Sequence, residues 1–179
     1  MKLVTKFATV AVATALVAGP VALAAAPAQA APAAKATGTT LVSFKKQYAS
    51  LIKLIQPVAP TKFIGSKISF PVTGVKGTTV THSGGITVGG VPATDPVIVV
   101  NAKKKTATVS FSINGTLTQL FYAEHFKNTA GGGKSASWQG DLHLTKDANI
   151  VGLLNQLLGN PGLTPGLGLG QIRTTYKIG

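Results

Sequence analysis

Few side chains in this sequence can do chemistry. Cysteine is absent, which excludes a thiolate nucleophile, a disulfide and a thiolate metal site. The four carboxylates, Asp95, Glu124, Asp141 and Asp147, lie far apart, and none stands in a motif for paired acid–base work. No H-E-x-x-H, G-x-S-x-G or P-loop sequence occurs. Three histidines, His82, His125 and His143, could in principle hold zinc, but separations of 43 and 18 residues match no compact zinc motif. All three read as surface residues near turns. His82 is the most informative, because it sits in "VTHSGGITVGG" (residues 80–90), between β-branched runs and beside Gly84 and Gly85. That setting suits a histidine bracing a tight turn, and equally one that supports a bound group. "GGITVGG" lacks the strand–G-x-G-x-x-G–helix context of a phosphate cradle. The inventory points to a binding protein rather than an enzyme.

The beginning of the chain sets the compartment. "MKLVTKFATVAVATALVAGPVALAAAPAQA" places Lys2 and Lys6 before an apolar run from Phe7 and ends on Ala28-Gln29-Ala30. This is the pattern of a secretory signal peptide (1–30) cleaved after Ala30. Gly19-Pro20 interrupts the run and argues against a retained membrane anchor. No Arg-Arg pair precedes it, so export by the general route is expected. Residues 31–179 would make one domain large enough to bury a core. They carry no cysteine for a lipid anchor and no apolar tail of membrane-spanning length, so stable membrane insertion after cleavage is not expected. The mature protein is expected to be secreted, either extracellular or associated with the cell envelope.

Without Lys2 and Lys6, 15 basic residues face four acids, a net charge of +11. Such an excess favours anionic cell-wall polymers or headgroups. Nucleic acid is not an expected partner, since export removes it and no recognition motif is present. The lysines are scattered apart from Lys103-Lys104-Lys105, which also suits simple solubility.

The elements follow from periodicity. Residues 31–40, "APAAKATGTT", read as a flexible leader. Leu41, Phe44, Tyr48, Leu51, Ile52 and Ile55 recur at spacings of three and four, predicting an amphipathic helix over about 43–55 that Pro57 ends. Beyond Pro60 the period becomes two, in "KISFPVTG", "TTVTH", "PVIVV", "TATVSFSI" and, after the hairpin signal Asn114-Gly115, "TLTQLFYAEHF". Ile150, Leu153, Leu154, Leu157 and Leu158 make the apolar face of a second helix, with Thr145 as N-cap, Asp147 in its first turn and Gly159 closing it. "QIRTTYKI" is a last strand. The fold class is mainly β: an antiparallel sandwich or barrel-like domain over 41–179, with an N-terminal amphipathic helix and a short helix before the last strand.

The order of these pieces, "LVSFKKQYASLI", "KISFPVTG", "VTHSGGITV", "DPVIVV", a strand ending "QLFY", "LTKDANIVGLLNQLLG" and a closing "LGQI", resembles the HtaA-like (haem-transport-associated) domain of secreted and surface proteins of high-GC Gram-positive, actinobacterial species. The likeness spans about residues 41–178, and its most specific parts are the Ser-Phe…Tyr start and the His-Ser-Gly-Gly turn. It implies a β-rich fold with small helices and haem as the cofactor. It also implies that a tyrosine of the opening segment ligates the iron and a downstream histidine supports it. Carried over, Tyr48 is the candidate metal ligand, His82 its partner, and Lys45 and Lys46 stand near enough to attract haem propionates. A phenolate is a hard anionic donor that suits ferric iron. The stripe itself leaves open whether Tyr48 is a ligand or packs with Phe44, Leu51 and Ile52. Two functions follow: a secreted, non-enzymatic protein that captures or relays haem, or a cationic envelope-associated structural or adhesion protein with no haem pocket.

Overall fold

The computed structural model describes residues 33–132 and 134–179, so the signal-peptide reading of 1–30 lies outside the described residues. Eleven strands form one antiparallel sheet: β1 (Ala34–Phe44), β2 (Ile55–Val58), β3 (Lys62–Ile64), β4 (Lys67–Lys76), β5 (Thr79–His82), β6 (Gly85–Val88), β7 (Val91–Asn101), β8 (Thr106–Ile113), β9 (Thr116–Gly132), β10 (Ser135–Leu144) and β11 (Gly168–Ile178). Eight of them run in the order β7-β5-β4-β1-β11-β10-β9-β8, and β8 pairs back onto β7. The choice between sandwich and barrel is therefore settled as a closed barrel, which leaves those eight strands no open edge in the ring. β6 and β2 extend from the first half of β7, and β3 adds to β4.

Alternation along the strands fills the barrel. Val42, Phe70, Ile98, Val109, Phe111, Leu142 and Ile172 are buried and point inward, with Phe70 and Phe121 both edge-on to Phe111. Asn114-Gly115 makes the expected two-residue hairpin between Ile113 and Thr116, with φ of 49° and 79°. Gly89-Gly90 makes a second one between Val88 and Val91, with φ of 55° and 84°.

The start of the described chain departs from expectation. From Ala34 onward the supposed leader is β1, which pairs with β4 on one side and β11 on the other. A strand hydrogen-bonded on both edges needs little side-chain hydrophobicity to be held, so its run of Ala, Gly and Thr hides it. The apolar spacing over 43–55 is distributed over three pieces. Ser43 and Phe44 end β1, Lys46–Leu54 winds through 3₁₀ turns, and Ile55 opens β2. The second helix forms as expected, as α1 (Ala148–Leu157) before the last strand. Its N-cap is Asp147 rather than Thr145: Oδ1 accepts from the Asn149 and Ile150 amides at 2.9 and 3.3 Å. Thr145 instead accepts from the Asp147 amide. α1 buries Val151 and Leu154. Among the described residues no helix is long and apolar enough to cross a membrane.

β5 and β6 are one strand line broken at Ser83-Gly84. Both lie against β7, and the Asp95 amide donates to the Gly84 carbonyl across the break at 2.7 Å. Gly84 adopts φ +80°, and a Cβ there would fall 2.5 Å from Thr61 Oγ1 and 2.7 Å from the Val58 carbonyl. Backbone conformation and close backbone approach both demand glycine. Gly84→Ala is expected to cost at least about 2 kcal/mol, read as a lowered urea midpoint at unchanged m-value. A midpoint equal to wild type would contradict this account of the break.

Candidate functional site

His82 is the last residue of β5, and its side chain points into the barrel, 4 % exposed. It does not decorate a turn; the glycines beside it make the break between β5 and β6, and the hairpin turn comes later, at Gly89-Gly90. Both ring nitrogens are engaged. Nδ1 lies 2.8 Å from the Pro96 carbonyl and Nε2 lies 2.7 Å from Thr40 Oγ1. A carbonyl only accepts, so Nδ1 carries the proton and Nε2 accepts from the Thr40 hydroxyl. Thr40 Oγ1 is also 2.8 Å from Thr174 Oγ1, and with its own proton given to His82 it accepts from Thr174. One chain of hydrogen bonds thus runs Thr174 to Thr40 to His82 to Pro96, linking β11, β1, β5 and β7. Thr40 and Thr174 are buried to 2 % and 1 % exposure. Burial holds the imidazole pKa down at about 4, from 6.5, against a smaller upward pull from the Pro96 carbonyl. The ring is neutral at pH 7.

A cavity of about 60 Å³ lies beside this chain, lined among others by Thr40, Phe44, Leu51, His82, Phe111 and Leu163. An apolar cavity of about 150 Å³ accommodates one benzene. The space beside His82 is smaller than that.

Tyr48 lies elsewhere. It is half-buried in the 3₁₀ segment, packs on the margin of the core, and its amide donates to the Lys45 carbonyl at 2.9 Å. It is not among the residues that line the cavity holding His82. Lys45 and Lys46 are exposed, and the Lys45 amide donates to the Leu169 carbonyl, tying the start of the segment to β11. The structure therefore brings Lys45, Lys46 and Tyr48 to one short segment and leaves His82 inside. A half-exposed phenol and two exposed lysines on one short segment are, by chemistry, groups that suit a ferric iron and its carboxylates.

The three imidazoles do not meet. His125 is exposed and pairs with Asp141 at 2.9 Å, whereas His143 stacks on Tyr122. Among the described residues no group of three His, Cys, Asp or Glu side chains is placed to hold a metal ion. Thr40 and Thr174, the residues that fix the His82 ring, were missed because one stood in the supposed leader and the other in an unremarkable strand. Their inward parity, two and four residues before Val42 and Phe44 for Thr40, and two after Ile172 for Thr174, was the available signal.

No family model and no curated protein sequence matches the chain. Solved structures do. The haem-binding protein HtaB from Corynebacterium glutamicum aligns at a TM-score of 0.59 with 14 % identity, over 80 % of this chain and 94 % of that one. The C-terminal domain of HtaA from the same organism aligns at 0.58 with 14 % identity, over 83 % and 100 %. The chain has the fold of these domains, as its sequence resemblance led us to expect.

Because the native imidazole holds its proton less tightly than the unfolded one, His82 contributes stability that is complete above pH 6.5. It is lost as the pH falls through 6.5 towards about 4. Between pH 7.5 and 5 the loss is about 2 kcal/mol, measured by urea unfolding as the difference between wild type and His82→Gln, which cannot titrate. Parallel pH profiles for the two proteins would contradict the buried neutral ring.

Proposed function

We propose that this chain, built on the fold of haem-binding HtaB and the HtaA C-terminal domain, is itself an exported haem-binding protein that captures or relays haem at the cell surface. The observation that carries the reading is the likeness to these domains along nearly their whole length. The chemistry of the 3₁₀ segment supports it. Tyr48 would hold the ferric iron through its phenolate oxygen, and Lys45 and Lys46 would face the propionates. Bound haem would supply a ferric centre and two carboxylates. The chain's own part is to position these three side chains. β1 delivers the segment, and its Thr40 is clamped by His82 four residues before Phe44. In this reading His82 supports the ligand through the strand rather than by touching the phenol, and acts as a positioning residue.

The other reading, a cationic envelope protein, rests on the lysine excess, and the same experiment separates the two. Ferric haem titrated into the purified protein is expected to give a saturable Soret shift. Tyr48→Phe is expected to weaken binding at least about tenfold and to change the ligand-to-metal band. A flat titration together with salt-sensitive pelleting on cell walls would replace the haem reading with the envelope one. Binding unchanged in Tyr48→Phe would remove Tyr48 as ligand.

A further inference from the structure

On the outer face of β9 and β10 a second polar cluster surrounds the start of β11. Tyr122 and His143 are paired across the two strands, and their rings stack with centroids 5.1 Å apart and planes 17° from parallel. Lys146 Nζ sits 4.9 Å from the Tyr122 ring centroid. His143 Nδ1–H donates to the Gly166 carbonyl at 3.2 Å, which locks the imidazole. Glu124 lies 3.8 Å from Lys146 Nζ and 3.9 Å from His143 Nε2, and Asp141, its cross-strand partner, pairs with His125.

Two glycines leave the space among these groups bare. A Cβ at Gly168 would lie 3.3 Å from Lys45 Nζ and 3.4 Å from His143 Cε1. A Cβ at Gly166 would lie 3.5 Å from the Tyr122 hydroxyl. The ammonium of Lys45 and the edge of His143 therefore border Gly168, and the phenol of Tyr122 borders Gly166, two residues earlier on the same stretch. Among the described residues Lys45 has no carboxylate within salt-bridge distance, and the Tyr122 hydroxyl has no protein hydrogen-bond partner. Lys45 and Lys146 bring two ammonium groups to the cluster, and the Lys45 ammonium is the one without a carboxylate partner.

We propose that Lys45, Tyr122 and Lys146, grouped around Gly166 and Gly168 with His143 as their brace, bind an oxyanion: a single carboxylate or phosphate group. Lys45 supplies the unneutralised charge and the Tyr122 hydroxyl a directional donor. Lys146 adds a second charge that Glu124 only partly offsets. His143 holds the Tyr122 ring by stacking and is itself held by the Gly166 carbonyl. The proposal goes beyond the haem reading: it shares Lys45 with it, but its test uses the anion alone and no haem.

The test is an NMR titration of the isotope-labelled protein with inorganic phosphate and separately with succinate, ionic strength being matched by sodium chloride. Saturable shifts centred on His143, Tyr122 and the amides of 166–168 are expected, in the millimolar range. The tighter of the two anions identifies the preferred group. Lys45→Gln is expected to weaken binding about tenfold, the loss of one charge-assisted hydrogen bond. Gly168→Ala, at a backbone conformation open to alanine, is expected to do the same by filling the space while leaving the remaining amide spectrum intact. Shifts that merely follow the chloride control, or equal affinity in wild type and Lys45→Gln, would overturn the site, whatever the outcome with haem.

Discussion

A neutral histidine inside a closed barrel is the constraint on which the rest of the molecule depends. Four strands that are distant in sequence meet at one run of hydrogen bonds, from Thr174 through Thr40 and His82 to the Pro96 carbonyl. Every side-chain donor in it is used, and no buried side-chain polar atom among the described residues lacks a partner. A half-satisfied network in this place would be worse than an apolar core, because each orphaned group would bear its full desolvation cost. The chain works only with Nδ1 protonated and Nε2 bare. Packing and protonation state are therefore coupled: the fold selects one tautomer, and that tautomer fixes the inward register of β1, β5 and β11.

The interior around His82 is occupied by its own side chains, and the residual space is smaller than a benzene ring requires. Both proposed binding sites lie outside the barrel, on the segment between β1 and β2 and on the neighbouring face of β9 and β10. Lys45 belongs to both. Its amide is tied to β11 through Leu169, and its side chain reaches the bare space at Gly168. The buried hydrogen bonds lie inside the scaffold, and the side chains proposed to bind sit at its margin. This division is common for sites placed on loops that a barrel holds in position.

Much of the architecture could be read from the residues. Period-two runs with turn dipeptides between them identify most strands. The leucine pattern of 150–158 identifies α1, and Asn114-Gly115 identifies its hairpin. The failures have physical causes. Residues 34–40 are alanine, glycine and threonine apart from Lys35 and carry little apolar signal, and only the presence of partners on both edges makes them a strand. The spacing of Phe44, Leu51 and Ile55 is the same whether one helix carries it or a strand, 3₁₀ turns and a second strand do. The break at Ser83-Gly84 looked like a turn because glycine serves both, and only the pairing with β7 distinguishes them. For the site, Tyr48 with Lys45 and Lys46 formed a local group visible along the chain. The partners of His82 did not, being 42 residues away at Thr40 and held by a backbone carbonyl at Pro96 that no side-chain pattern announces. Likewise, the grouping of Lys45 with Tyr122, His143 and Lys146 depends on the pairing of β9, β10 and β11.

The most direct measurement of the central claim is the protonation of the His82 ring, seen by long-range proton–nitrogen NMR correlation in the intact protein. The structure requires a single species at pH 7, with a protonated Nδ1 and an unprotonated, hydrogen-bonded Nε2, persisting well below pH 6. A ring that is cationic near neutral pH, or that averages between tautomers, would mean that the buried chain does not exist as described and that the interior is open to something else.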